Sequence, residues 1–227
     1  MNPEEAYDYA YKYGPSDETR KIACEDPKCA YWYARDVDKC PREDTREAAC
    51  KDLKCAYWYA CHVDECPRDD TREAAYKDPL YAYWYARDID KCPRNDTREA
   101  ACKDPEWVYW YALEVDKCPR DDTREIACKD SEYAYLYALN IDKCPRDDTR
   151  NAAYKNPKFA YEYALNVDKV PKENTRKTAC KSSIIAFWYA SEIDKEPRED
   201  TWMAVKNTEY EEKYELLLNL FSKEEIM

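Results

Sequence analysis

The chain has 227 residues, a formal net charge of −12 and 38% charged residues, which argues against direct binding of duplex nucleic acid or an anionic membrane. Its one glycine, Gly14, disfavours hairpins and Gly-rich phosphate loops and leaves almost no position that needs a positive φ. Its 23 Tyr and 7 Trp supply too much apolar surface for a disordered chain.

The first predicted element, "EEAYDYAYKY" after Asn2-Pro3, is a helix whose run to Pro15 is two residues shorter than in later units. From Pro15 onward, Pro41, Pro67, Pro93, Pro119, Pro145, Pro171 and Pro197 recur every 26 residues, and Thr19, Thr45, Thr71 and their successors keep the same step. Self-similarity at this period signals stacked repeats.

Each unit reads as two helices. Asp44-Thr45-Arg46-Glu47 has the spacing of a capping box and opens a short helix through "TREAACK". Asp26-Pro27 caps a longer helix, "PKCAYWYARDVDK", which Cys40-Pro41 stops. On the longer helix Ala30, Tyr33, Ala34 and Val37 share one stripe. Tyr is nearly fixed in the Tyr33 slot and Ala in the Ala34 slot, with the Tyr hydroxyl expected to reach a polar partner at the edge. One unit cannot bury such a face alone, whereas neighbours can. The expected fold is therefore all-α: an α-solenoid of about seven 26-residue helix-turn-helix repeats with capping helices at both ends.

The period covers residues 1–206, and residues 207–227 are expected to add a C-terminal helix within the same continuous domain. Its Leu216, Leu217, Leu218, Leu220 and Phe221 suit a lid over the last unit, with a dimerisation helix as the second role. A monomer or a dimer through this helix follows.

Thirteen Cys, an odd count, with no basic-then-apolar leader and no apolar run of about 18 residues, favour a reduced, cytoplasmic protein off the membrane. The Cys ladders are broken by Tyr76, Tyr154, Val170 and Glu196, residues a metal site would not accept, and the chain has one His, His62. No metal, no cofactor and no catalytic constellation is expected, so the chain is not read as an enzyme.

Two recurring charges oppose the helix dipole: Asp38, Asp64 and Asp90 in the last turn of long helices, and Arg46, Arg72 and Arg98 in the first turn of short ones. Their recurrence suggests a ladder, Arg46 pairing with Asp38 or with an acid of the adjacent unit, that fixes the corner geometry and inter-unit register. The functional alternative is that the Arg row meets an anionic ligand. A candidate partner-binding ridge consists of Trp32, Trp58, Trp84, Trp110 and Trp188 with the variable neighbours Arg35 and Arg87. Trp is enriched in binding hot spots; the competing role is packing on the preceding unit's helix.

Spelled out as "AYWYARDVDKCPREDTREAACKDP", the units resemble a class of repeat proteins carried by bacteriophages and other large DNA viruses, with a likeness to tetratricopeptide-type helix pairs. The likeness covers roughly residues 6–206 and carries over no site residues. It implies a viral origin, a host or viral protein as partner, the host cytoplasm as location, and inhibition of a host defence component as a role. The expected function is a non-enzymatic protein-interaction scaffold. The alternatives are an acidic DNA mimic that occupies a nucleic-acid-binding host protein, and a sponge for a nucleotide signal.

Overall fold

The computed structural model describes residues 1–224, with side chains through Leu218. The chain divides into two compact units, Met1–Lys117 and Cys118–Met227. Among the described residues all regular structure is helical.

The first unit contains, in order, α1 (Pro3–Tyr13), α2 (Asp17–Ala23), α3 (Pro27–Trp32), α4 (Glu43–Ala49), α5 (Leu53–Tyr59), α6 (Asp69–Ala75), α7 (Pro79–Tyr85), α8 (Asn95–Ala101) and α9 (Pro105–Tyr111). The second continues with α10 (Asp121–Ala127), α11 (Ser131–Tyr137), α12 (Asp147–Ala153), α13 (Pro157–Tyr163), α14 (Glu173–Ala179), α15 (Ser183–Tyr189), α16 (Glu199–Val205) and α17 (Glu211–Glu224). Short and long helices alternate with the 26-residue step, so each unit is an α-solenoid of stacked helix pairs.

The longer helices start as expected. The Asp26 carboxylate accepts from the Lys28 and Cys29 amides, and Asp52, Asp78 and Asp104 cap α5, α7 and α9 in the same way. They end differently. A regular α-helix was expected to run to Lys39, but its second half is a π turn, Tyr33–Asp38, repeated at Ala60–Asp64, Ala86–Asp90 and onward. In such a turn the Lys117 amide reaches back five residues to the Ala112 carbonyl, at 3.0 Å.

Each π turn closes on a left-handed residue: Lys39, Glu65, Lys91, Lys117, Lys143, Lys169 and Lys195 all have φ between 52° and 56°. The scarcity of glycine therefore misled about backbone geometry. The chain needs positive φ once per repeat and places a non-glycine residue there. The proline two residues on (Pro41 after Lys39) cannot donate to a continuing helix and fixes the stop.

The short helices also start differently from the expected capping box. Arg42, not Asp44, is the N-cap of α4, and its side chain makes no capping bond. The Arg42 amide donates instead to the Tyr59 hydroxyl at 3.0 Å, and that hydroxyl lies 3.0 Å from the Arg42 carbonyl and 2.9 Å from Thr45 Oγ1. A phenol from the next long helix thus performs the capping that Glu47, exposed on the far side, was expected to share. The same triad of phenol, Thr and backbone recurs with Tyr85/Thr71, Tyr111/Thr97, Tyr137/Thr123, Tyr163/Thr149 and Tyr189/Thr175. Capping boxes are present on α1, between Asn2 and Glu5, and on α2, between Ser16 and Thr19, where Tyr33 joins.

The core lies between the helix layers and is built from Ala and Tyr. Ala23, Ala49, Ala75 and Ala101 on short helices, Ala34, Ala60 and Ala86 on long ones, and Tyr33, Tyr59, Tyr85 and Tyr111 are essentially inaccessible. Alanine lets the backbones approach closely, and the ring fills the space between them.

The last helix pair is covered. Tyr214 of α17 is fully buried against Ala186, Ala190 and Val205, with Leu217 and Leu218 packed beside it. Its hydroxyl lies 2.7 Å from Thr201 Oγ1, so α17 reproduces the Tyr–Thr contact of a repeat and acts as a lid. Leu216, assigned to the same apolar face, is instead exposed, while Leu220 and Phe221 lie outside the residues whose side chains are described, as do residues 225–227 altogether.

Candidate functional site

Three rows of side chains follow the repeat: a buried ion-pair row, a row of bonds between neighbouring long helices, and the outer aromatic ridge.

The charged row exists, with a different pairing from the first expectation. Arg46 does not meet Asp38. It donates to both oxygens of Asp64 through Nε and Nη2, at 2.7–3.0 Å. Arg72 holds Asp90 and Arg98 holds Asp116 in the same fork, while Asp38 belongs to Arg20. Each pair therefore joins a short helix to the long helix that follows it, rather than setting register between repeats. Each of these aspartates is the last residue of a π turn.

The Arg98 and Asp116 side chains are only 9% and 2% exposed, and the guanidinium lies over the Tyr111 ring at 5.7 Å from its centre. Bonds to Asp38 and Asp17 hold the Arg20 guanidinium more firmly protonated than usual. The guanidinium groups of this row are enclosed and committed to aspartate partners.

Register between repeats comes from residues the sequence reading passed over. Tyr57 donates to Asp88 at 2.7 Å, and Tyr83 to Glu114, each across 31 residues. Tyr31 meets His62 Nδ1 at 3.1 Å; in the second unit Tyr161 donates to Glu192, and Asn166 donates to Tyr135. Tyrosine is constant on one side, whereas the facing slot varies among Asp, His, Glu and Asn. Burial and the Asp88 carboxylate together push the Tyr57 phenol well above its usual range. The available signal was a constant tyrosine facing a slot that stays polar while changing identity.

The ridge residues lie along the outer side of the long helices. Trp32, Trp58, Trp84 and Trp110 are half-buried, and Trp188 is 38% exposed. Trp32 lies on Tyr7, Trp58 on Tyr31, Trp84 on Tyr57 and Trp188 on Tyr161, each at 5.7–6.0 Å between ring centres. Each of these indoles thus packs on the preceding repeat and keeps part of its surface in solvent. Lys28 and Lys54 place their ammonium groups 4.4 and 4.6 Å from the Trp32 and Trp58 ring centres.

Arg35 and Arg87 are exposed. Each forks onto the next residue, Asp36 or Asp88, and donates to a tyrosine hydroxyl one turn back, Tyr31 or Tyr83. They tie the ridge to the register bonds. Two open grooves of about 380 Å³ follow the same period. One is lined by Asp26, Lys28 and Trp32, the other by Asp52, Lys54 and Trp58.

Cysteines are free among the described residues: Cys29 and Cys55 are buried, while Cys40, Cys66, Cys92, Cys118 and Cys144 are exposed. The described residues hold no group of three His, Cys, Asp or Glu arranged to bind a metal, and no described helix is long and apolar enough to cross a membrane.

Fold and rows together define a helical-repeat α-solenoid whose Ala, Tyr, Thr and Arg–Asp slots are internal and nearly constant. Comparison with protein-family models, curated proteins and solved structures finds no match.

Proposed function

We propose that the chain is a non-enzymatic protein-binding scaffold that contacts its partner through the outer ridge of the long helices. The observation that supports this reading is the division of labour between slots. Buried residues that repeat are used in packing, capping and the Arg–Asp row. Residues that change, such as Arg35, Cys61, Arg87 and Leu113, lie beside the half-exposed indoles. Large, rigid aromatic side chains next to charged ones are the composition of interface hot spots. The resemblance to phage and large-DNA-virus repeat proteins supplies the partner class: a host protein, a defence component among them, met in the cytoplasm.

Leu136 occupies the Trp slot in one repeat, so leucine is compatible with the fold at that position. The test is affinity capture from a bacterial lysate, with identification by mass spectrometry and a binding constant for the purified pair. The triple variant Trp32→Leu, Trp58→Leu, Trp84→Leu should keep its helical circular dichroism and lose the partner. Undiminished binding by the folded triple variant rules the ridge out.

A second reading rests on a different row. Glu47, Glu73, Glu99 and Glu125 are exposed at the same step along the short helices. Evenly spaced carboxylates fit an acidic DNA mimic that occupies a nucleic-acid-binding protein. Such a complex should weaken steeply between low and physiological salt, whereas a ridge complex should not.

A further inference from the structure

The first helix differs from every later long helix in what covers it. Ala6 and Ala10 match Ala30 and Ala34 and are buried in the same way, and the Tyr7–Trp32 contact matches Tyr31–Trp58. Tyr9 therefore occupies the slot of Tyr33, and Tyr13 that of Val37. The Tyr33 slot is fully buried in the later repeats by the preceding short helix, yet Tyr9 is 49% exposed and Tyr13 64%. No described residue covers this face. The other terminal helix pair is closed by the chain itself, through Tyr214.

We propose that α1 pairs with α1 of a second copy of this chain, antiparallel, through Tyr9 and Tyr13. Two features favour a second copy over a repeat-type short helix. Such a helix would bring an arginine to the slot of Asp38, which α1 fills with Gly14, and the guanidinium would be buried without its carboxylate. The chain's own last short helix, α16, already lies under α17. The charge pattern points the same way. At 100° per residue the exposed Glu5, Asp8, Tyr9, Lys12 and Tyr13 share one face, acidic in its first half and basic in its second. Antiparallel pairing about the two tyrosines sets Lys12 of each copy against Asp8 and Glu5 of the other. The pair is isologous and closes on itself. One helix a side is at the small end of stable interfaces, so association should depend on concentration.

The test is sedimentation of the full chain under reducing conditions, which exclude disulfide links through the exposed cysteines, from about 1 μM to about 1 mM. A monomer–dimer equilibrium is expected, and Tyr9→Asp with Tyr13→Asp should weaken it at least tenfold while leaving the circular dichroism unchanged. Lys12→Glu should also weaken it, and adding Asp8→Lys should restore it. A chain that stays monomeric throughout overturns the proposal. So does a dimer that the tyrosine pair leaves untouched, or a charge swap that fails to restore association.

Discussion

At the residue scale, the structure assigns a precise task to a group that looked like filler. The Tyr111 hydroxyl takes the Arg94 amide at 3.0 Å and lies 3.0 Å from Thr97 Oγ1, in a site with no access to water. Tyr111→Phe keeps the ring and leaves a buried amide and hydroxyl without this partner. The expected cost is about 1–3 kcal/mol in urea unfolding, from the desolvation of unmet polar groups. Lys91 gives the opposite case. Its φ of 52° strains any side chain with a Cβ, so Lys91→Gly should raise stability by up to about 1 kcal/mol. A lower melting temperature for that variant would show that the Lys91 stem contributes more than its backbone costs.

At the element scale, legibility depended on whether a feature was local. The period, the Asp26-type caps and the Ala/Tyr stripe could all be read from the sequence, because each is set by neighbours within a turn or two. The π turn was not legible: Tyr33–Asp38 has the composition of an ordinary α-helix, and the turn's Asp38 is held from another helix, by Arg20. The Asp44 box failed for the same reason, since Tyr59 arrives from outside the local sequence. For the candidate site, the Trp slots and the Arg and Asp rows were visible, but their partners were not. Arg46 had equivalent acids on both sides in the chain, Asp38 before it and Asp64 after it. The element-scale prediction concerns this pair. Arg98→Glu sets a second carboxylate against Asp116 in a buried site and should cost about 3–5 kcal/mol, the range for a broken buried ion pair. Hydrogen exchange should then rise first in α8 and in the π turn Ala112–Asp116. A mild, uniform loss would contradict the local role.

At the scale of the whole molecule, the shared burial of thiols and phenols sets a pH limit. Burial pushes Cys24 and Cys128 up to about 11 and Cys50 and Cys180 up to about 12, and it also raises the phenols of Tyr59, Tyr85, Tyr111, Tyr137, Tyr163 and Tyr189. The unfolded chain releases these protons nearer the ordinary values, about 8.5 for Cys and about 10 for Tyr. The folded state therefore holds more protons above those values, and stability falls as pH rises. Melting temperature should be flat through neutrality and decline above about pH 9, more steeply past pH 10, because phenols then join the thiols. A melting temperature that holds constant to pH 11 would mean that these groups ionise without unfolding the chain.

The register bonds have one more consequence. The Tyr57–Asp88 and Tyr83–Glu114 bonds each span 31 residues, and each acceptor slot is refilled 26 residues on. Removing residues 53–78 would bring Asp88 before Tyr31, Asp90 before Arg46 and Tyr85 before Thr45, every vacated role taken by a residue able to fill it. The chain behaves as text that can be cut by whole lines. Excision of 26 residues should yield a shorter folded protein, whereas excision of 25 turns the next long helix by 100° and should leave its tyrosine facing water. Lengthening and shortening by unequal exchange is thus open to the gene at little structural risk, provided the frame of 26 is kept.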